Sequence, residues 1–497
     1  MSEDFEVVKL HFGKGERPAQ ILGHYANRHG LITGATGTGK TVTVQVLAEN
    51  FSQLGVPVFV TDVKGDVSGL SQAGKAKQKL VARAAKLDVK DYKFEGSPTV
   101  FWDIYRKYGH PVRTTLIELG PMLLGRFLEL SDVQEGVLNV GFKMAQEEKL
   151  ALLDLKDLQQ LLTYMGENHK EVSNKYGRVT GASIGAIQRR LLKLEQQGVE
   201  MLLGEPAIEL ADFMKQDLSG KGIINIMDSR DLIQNPQMYA TFMLWLMTEL
   251  FESLPEVGDQ QLPKLILFFD EAHLIFTDAP KALLRKVEQV ARLVRSKGVG
   301  IYFCTQSPGG IPESILGQLA NKVQHALRSY TPKDKKTVKA AADSFRPNPN
   351  FDTAKVITEL GVGEALVSTL EEGGAPSIVD RVKIAPPRCR MGAATDAERK
   401  TVISRSPIGS KYDEDLDKDS AFEKLKKRQD QIEQQKLQAE LDLKKEKEKI
   451  AKEKAYRKRS SGRRTQSVWE TAGKTVARRF GTKIVNAVWK SLFGGKR

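Results

Sequence analysis

The sequence of 497 residues is 40% apolar and 28% charged, an ordinary soluble mix, long enough for two or three domains that bury real cores. It contains no apolar run of about 18 residues, which argues against a membrane-spanning helix; its acidic start lacks a signal-peptide pattern, and its two cysteines, Cys304 and Cys389, fit no metal-ligand spacing and point to a reducing, cytoplasmic setting. The net charge of +14 sits in the tail: residues 421–497 hold 23 Lys+Arg and 9 Asp+Glu, leaving 53 of each sign in residues 1–420, so the basic balance says nothing about what the main body binds.

In chain order, strands are expected at Phe5 to Leu10 and Gln20 to Leu22, followed by Asn27-Arg28-His29 and an apolar approach ending at Thr33. Next comes Gly34-Ala35-Thr36-Gly37-Thr38-Gly39-Lys40-Thr41, which fits G-x-x-x-x-G-K-[ST]. A helical pattern with Val42, Val46 and Leu47 on one face follows it. Strand, glycine loop and helix are the context that gives this octapeptide its phosphate-binding meaning. The loop N–H groups and the helix N-terminus attract an anion. Lys40 is expected to reach the β- and γ-phosphates, and Thr41 to hold Mg²⁺.

The run Val56 to Val60 predicts a second buried strand, ending in Thr61-Asp62-Val63-Lys64-Gly65-Asp66. Ligands of open parallel sheets lie at the carboxyl ends of strands, which places Asp62 and Asp66 toward the nucleotide; the alternative is a polar turn that caps the next helix. Gly69 to Leu87 reads as a basic helix, Thr99 to Ile104 as a strand and Val112 to Thr115 as an edge element. From Ile117 to Leu203 apolar residues recur at helical spacing and predict an insertion of about four helices. Its polar loop Asn174 to Arg178 reads as a solvated connection or a partner contact.

Ile223 to Met227 is a short buried strand, and Met238 to Leu254 a helix with Trp245 in the core. Leu265 to Phe269 then forms a strand with Asp270-Glu271-Ala272-His273 at its exit. Asp270 is expected in the Mg²⁺ shell and Glu271 at the attacking water. His273 is expected to be a packed or hydrogen-bonded residue. Pro280 to Ser296 is a helix carrying Arg285, Arg292 and Arg295, whose basic face is either solvated or serves a neighbouring subunit's site. Val299 to Cys304 is a further strand ending in Thr305-Gln306, where Gln306 is positioned to sense the γ-phosphate or the water. A strand Val323 to Leu327, with Arg328 at its exit, a basic helix Pro332 to Phe345, and a closing hairpin of Glu364 to Leu370 and Ser377 to Ile384 complete the globular part.

Residues 421–459 are expected to form a solvated single helix or a weak coiled coil, since Phe422, Leu425, Ile432, Ala439, Leu443 and Ile450 give only a ragged seam. In residues 463–497, Trp469, Ala472, Val476, Phe480, Ile484, Val488 and Leu492 recur at three- or four-residue steps beside nine Lys/Arg and one Glu. That is a cationic amphipathic helix suited to an anionic membrane, nucleic acid or a partner helix.

The glycine loop, the strand ending at Asp62 to Asp66, the helical insertion, Asp270-Glu271-Ala272-His273 and the strand ending at Thr305-Gln306 together resemble the HerA/FtsK group of RecA-like ATPases, in particular the HerA-like bacterial ATPases of the YjgR type. The resemblance covers about residues 5–390. It implies an α/β RecA-like P-loop NTPase with a mostly parallel central sheet, a helical insertion and a charged helical C-terminal tail. The parts are a first half of the core (1–116, with the P-loop), the insertion (117–205), a second half of the core (206–390), a linker (391–420) and the charged tail (421–497). It also implies ATP as substrate with Mg²⁺, a hexameric ring that translocates DNA, and an arginine finger in trans that maps onto Arg295, with Arg292 and Arg328 as the other candidates. The P-loop residues 34–41 and Asp62 are then expected at the nucleotide, with Lys40, Glu271, Gln306 and Arg295 catalytic and Thr41 and Asp270 at the metal. Only about 30 residues precede the P-loop, too few for the N-terminal barrel of full HerA helicases, so a nuclease partner is not expected. The rival reading is an ATP-driven switch or remodeller acting on protein or at a membrane through the basic tail.

Overall fold

Every strand expected from an unbroken apolar run lies in one sheet. The structure is a computed structural model that describes residues 7–460 except 197, 259, 278–280 and 417–419; the amphipathic segment expected at 463–497 lies outside the described residues. The strands are β1 (Lys9–Lys14), β2 (Pro18–Leu22), β3 (Gly30–Thr33), β4 (Val58–Asp62), β5 (Thr99–Asp103), β6 (His110–Pro111), β7 (Ile224–Asp228), β8 (Leu265–Phe269), β9 (Val299–Thr305), β10 (Asn321–Gln324), β11 (Glu364–Ser368) and β12 (Asp380–Ile384). Their order is β2-β1-β12-β11-β10-β3-β9-β8-β4-β7-β5-β6. From β10 to β6 every neighbouring pair is parallel, and from β10 out to β2 every pair is antiparallel. The α/β class with a mostly parallel sheet is therefore as expected.

The continuous apolar runs have a simple cause. Strands β3, β4, β7, β8 and β9 are buried along their whole length, and a parallel sheet covered on both faces needs apolar side chains in both directions. Ile266 and Phe268 point to one face, where they join Val58, Val60, Ile224 and Ile226 against Val44, Leu47 and Phe51 of the helix Lys40–Gln53. Phe269 points to the other face and meets Phe303, which packs edge-on against Phe276. Each such side chain, fully buried, contributes roughly 1.5–3 kcal/mol.

The chain divides into two compact units, residues 1–129 with 193–416 and residues 130–192 with 417–497. The helical stretch expected at 117–205 begins earlier and is split. Its first helix, Leu116–Phe127, packs on the helix Pro236–Ser253, where Gln237 Nε2 donates to the Phe127 carbonyl at 2.8 Å. The helices Asp132–Glu147, Leu155–Glu167 and His169–Tyr176 belong to the second unit.

Three expectations are corrected. The basic helix expected at Gly69 to Leu87 covers only Gln78–Lys86. Ahead of it, Ala73 bridges Cys389 and the Gly74 N–H donates to the Arg388 carbonyl at 3.0 Å, so this stretch is drawn out to pair with distant backbone. Residues 391–416, expected to be a polar linker, fold onto the first unit. They carry the helix Asp396–Ser404, and the polar groups that suggested a linker are in fact paired: Arg399, 4% exposed, reaches Asp228 at 2.9 Å, and Tyr412 is fully buried. The helix Ala421–Ser460 is not a free rod throughout. Its start docks on Leu155–Glu167, with Leu425 and Ile432 buried, the Phe422 N–H donating to Asp157 Oδ1 at 2.8 Å and Gln429 Nε2 donating to Glu167 at 2.7 Å. Leu437 and Leu441, further along, are exposed.

Candidate active site

The glycine loop leaves β3 at the sheet's centre and enters the helix Lys40–Gln53. Gly39, the residue before that helix, has φ 120°, and Gly34 has φ 151° with His325 so close that a Cβ would lie 2.5 Å from it. Such backbone is open to glycine and resisted by other residues. The loop is suspended from two strands beside it. The Ala35 N–H donates to the Ala326 carbonyl at 2.8 Å, and the Gly363 N–H donates to the Thr38 carbonyl at 3.0 Å. Lys40 is buried, and its ammonium donates to the carbonyls of Gly34 at 2.7 Å and Ala35 at 3.2 Å.

Register brings the second half of the site to the same edge. Thr33 pairs with Thr305, while Leu31 pairs with Phe303, which pairs with Phe269. Asp270 and Glu271 therefore leave β8 at the level where Thr33 ends β3, with β9 between them. Two strand spacings of about 4.8 Å put β3 and β8 about 10 Å apart, within the combined reach of a lysine and a carboxylate. The charges respond to one another. Burial lowers the Lys40 pKa, Lys64 lowers it further, and Glu271 and Asp270 draw it back up. Burial and then the neighbouring Glu271 raise the Asp270 carboxyl to about 6.

Asp270 is held by its backbone. Its N–H donates to Thr61 Oγ1 at 2.8 Å, and its carbonyl accepts from the Tyr239 hydroxyl at 2.6 Å. Its Oδ1 accepts the Glu271 N–H at 3.0 Å. Glu271 has a left-handed backbone, φ 47°, a conformation that costs a non-glycine residue on the order of 1–3 kcal/mol and gathers at functional sites. Its carboxylate is buried: Oε1 accepts from Gln306 Nε2 at 3.3 Å and lies 3.5 Å from Lys64 Nζ, and Oε2 lies 3.5 Å from His273 Nδ1 without a hydrogen bond. Gln306, at the exit of β9, is exposed on its other side.

Asp62 is the expectation that does not hold. Its carboxylate accepts the N–H of Gly65 at 2.7 Å and of Ser68 at 3.0 Å, so it closes the turn beneath the site instead of facing a nucleotide. Burial, and then Asp228, raise it to about 7. The alternative reading, a polar turn, is the correct one, because a short strand exit followed by glycine lets the aspartate fold back on its own backbone.

Arg295 lies in the turn Arg295–Lys297 that precedes β9, at the opposite edge of the sheet from Thr305. The seven residues of β9 separate it from Gln306 by about 20 Å, so it does not reach its own chain's site. Arg292 pairs with Glu288 at 3.1 Å, and Arg328 donates to the Thr358 carbonyl at 3.4 Å.

Two residues at the site escaped the sequence reading. Tyr239 lies on the helix Pro236–Ser253, of which the sequence reading singles out only Trp245, as a core residue. His325 follows β10; its Nδ1 faces the Glu364 carbonyl at 2.9 Å and its Nε2 faces Thr43 Oγ1 at 2.8 Å, which assigns the proton to Nδ1. No spacing in the sequence links His325 to Thr43.

The donor set suits a triphosphate with a divalent cation. Asp270 and Glu271 form a like-charged pair, one with an elevated pKa and the other with a buried oxygen lacking a hydrogen bond, and both bear electrostatically on Lys40. Among the described residues no cluster of three or more His, Cys, Asp or Glu is able to hold a metal without such help, and no helix is long and apolar enough to cross a membrane.

The family model for helicase HerA-like C-terminal domains matches residues 8–497. The DNA double-strand break repair helicase HerA of Sulfurisphaera tokodaii is 23% identical over 352 residues, 68% of this chain and 62% of that protein. The protein of the same name from Sulfolobus acidocaldarius is 23% identical over 360 residues, 69% of this chain and 62% of its own length. The chain thus spans about three fifths of the length of these relatives. Among solved structures, the unbound bacterial conjugative coupling protein TrwB aligns with a TM-score of 0.49 and 16% identity, covering 75% of this chain and 88% of that one.

Proposed function

The chain belongs to the helicase HerA-like C-terminal family, and from that premise we propose that it is a Mg²⁺-dependent ATPase, the motor part of a ring that moves along DNA. The observation that carries this reading is the register that sets Asp270 and Glu271 level with the end of β3, with Lys40 in electrostatic contact with both. Loop N–H groups and Lys40 bind the β- and γ-phosphates. Thr41 and Asp270 are the residues to hold Mg²⁺, which supplies charge neutralisation of the phosphates. Glu271 takes a proton from water as its oxygen attacks the γ-phosphorus. The bond from that phosphorus to the β–γ bridging oxygen breaks, and ADP leaves with the electron pair. Gln306 orients the water.

DNA enters as a proposal from the relatives, which are named as DNA helicases. The charge distribution limits what binds it: residues 1–420 are neutral overall, so phosphate contacts come from the tail or from local clusters. The placement of Arg295 before β9, away from its own chain's Gln306, supports a ring in which it serves a neighbouring subunit. The test is the ATPase rate of the 497-residue chain at low salt with and without duplex DNA. Stimulation by DNA supports the motor. Hydrolysis without stimulation, together with flotation of the chain on anionic vesicles, supports the switch acting at a membrane instead.

A further inference from the structure

Lys64 stands in the turn after β4, at the edge of the sheet where the glycine loop also emerges. Val60 pairs with Phe268, so β4 and β8 end within a residue of each other and Lys64 lies just beyond the exit that carries Asp270 and Glu271. In the strand order, β4 neighbours β8 on one side, and β9 and then β3 follow on the other. Lys40 and Lys64 therefore approach the two carboxylates from strands on opposite sides of β8. The backbone under Lys64 is fixed. Asp62, 1% exposed, accepts the N–H groups of Gly65 at 2.7 Å and Ser68 at 3.0 Å, and the Ser68 hydroxyl donates to the Gly65 carbonyl at 2.6 Å.

The side chain has the freedom that the turn lacks. It is 44% exposed on a flexible four-carbon stem, and its ammonium lies 3.5 Å from Glu271 Oε1, an ion pair without a hydrogen bond. Among the described residues it has no other ion pair, so the ammonium keeps its donors for something else. Glu271 is not closed off by it, because Oε2 carries no hydrogen bond and is the oxygen left to accept the water's proton.

Distances bring the γ-phosphate within its reach. A general base lies about 3 Å from the water it activates, and that water about 3–3.5 Å from the atom it attacks, so the γ-phosphorus sits about 6 Å from the Glu271 carboxylate. An ammonium 3.5 Å from the same carboxylate meets the γ-phosphate oxygens by rotating its own stem. We propose that Lys64 is a second γ-phosphate ligand of its own chain's site: its ammonium donates to a γ-phosphate oxygen and, beside Lys40, neutralises charge there as the phosphoryl group is transferred. A charge-assisted hydrogen bond of this kind is the strong sort, whereas the half-exposed pair with Glu271 is weak and is readily exchanged for it. Lys64 already bears electrostatically on Lys40 and on Asp270. The strand exit from which Asp62 folds away thus still serves the nucleotide, through a cation two residues later.

The inference rests on the proposed seat of the triphosphate between the glycine loop and Glu271, and the experiment separates the two. Equilibrium affinities for ADP and for the non-hydrolysable triphosphate AMP-PNP, both with Mg²⁺, are measured by calorimetry on the 497-residue chain, on Lys64→Met and on Lys64→Arg. ADP lacks the γ-phosphate and reports on the rest of the pocket. Lys64→Met is expected to lower AMP-PNP affinity about tenfold, the low end for a hydrogen bond to a charged group, and to leave ADP affinity at the parent value. Lys64→Arg keeps the charge and is expected to recover most of the loss. A ratio of AMP-PNP to ADP affinity that equals the parent's in Lys64→Met overturns the proposal, whether both affinities fall together or neither does. Lys64→Gln gives the same reading if methionine disturbs folding. If Lys40→Ala binds both nucleotides as the parent does, the pocket itself is misassigned, and that failure belongs to the functional reading whatever Lys64 does.

Discussion

Thr61, near the end of β4, accepts the backbone N–H of Asp270, just past the end of β8, at 2.8 Å. Two neighbouring parallel strands are thereby locked together at the point where one of them turns into the site. Tyr239 closes the arrangement, since its hydroxyl lies 3.2 Å from Thr61 Oγ1 and donates to the Asp270 carbonyl. Thr61→Val keeps the shape and removes the acceptor. It leaves a half-buried N–H unpaired, at a cost of about 1–3 kcal/mol. The expected outcome in urea unfolding is a loss of that size. Because Asp270 loses its anchor, kcat for ATP is expected to drop about tenfold with a smaller change in KM. A variant with parent kcat shows that Asp270 needs no such tether.

Lys40 and Glu271 divide binding from chemistry. Lys40→Ala removes the buried ammonium among the loop carbonyls and is expected to abolish nucleotide binding in a fluorescence titration. Glu271→Gln keeps the size of the side chain and its contact with Gln306. It is expected to bind ATP as the parent does and to hydrolyse it slower by a hundredfold or more, the range of a lost general base. Parent-like turnover in Glu271→Gln removes the assignment.

Arg295 is a prediction about a neighbour. Its side chain is on the wrong edge of the sheet for its own site, so Arg295→Ala alone and Lys40→Ala alone are both expected to be inactive for different reasons. Mixed assemblies contain interfaces where an intact Arg295 meets an intact Lys40, and some activity is expected to return. No return of activity, in mixtures shown by native mass spectrometry to hold both variants, excludes a trans role.

The parts of this site that could be read in the sequence are those in which chemistry and order coincide. Gly34 to Thr41 and Asp270-Glu271 each combine a strand exit with the residue types a triphosphate needs, and Leu265 to Phe269 is apolar throughout because both faces of β8 are covered. Asp62 misled because a carboxylate after a buried strand has two physical uses, and only the position of the Gly65 and Ser68 N–H groups decides between them. Tyr239 and His325 were invisible because their partners, Thr61 and Thr43, are 178 and 282 residues away. The segment 391–416 misled for a related reason: Arg399 reads as a linker residue until Asp228, 171 positions earlier, is placed beside it.

His29, just before β3, gives a pH prediction away from the site. Its Nε2 donates to the Ala291 carbonyl at 2.5 Å and its Nδ1 accepts the Ile301 N–H at 3.0 Å, so the neutral ring is fully used. Burial lowers its pKa from 6.5 to about 4. In the unfolded chain the ring takes up a proton near pH 6.5, while in the folded chain it does so only near pH 4. Between those values the unfolded state binds more protons, so stability is lost as pH falls through this window and is unaffected above it. The loss from this one ring amounts to about 3 kcal/mol by pH 4. Asp62, raised to about 7, acts in the opposite direction, because it gains a proton in the folded state first. The contribution of His29 is therefore read from a difference. His29→Asn removes the titration while keeping an acceptor near Ile301, and any difference in fit to the strained backbone at φ 58°, ψ 170° adds an offset that does not change with pH. Unfolding free energies of parent and variant from urea titrations are expected to differ by a constant amount above pH 6.5 and to converge by up to about 3 kcal/mol as pH falls to 4. A gap that stays constant across the whole range shows that His29 takes up its proton at the same pH in the folded and unfolded states.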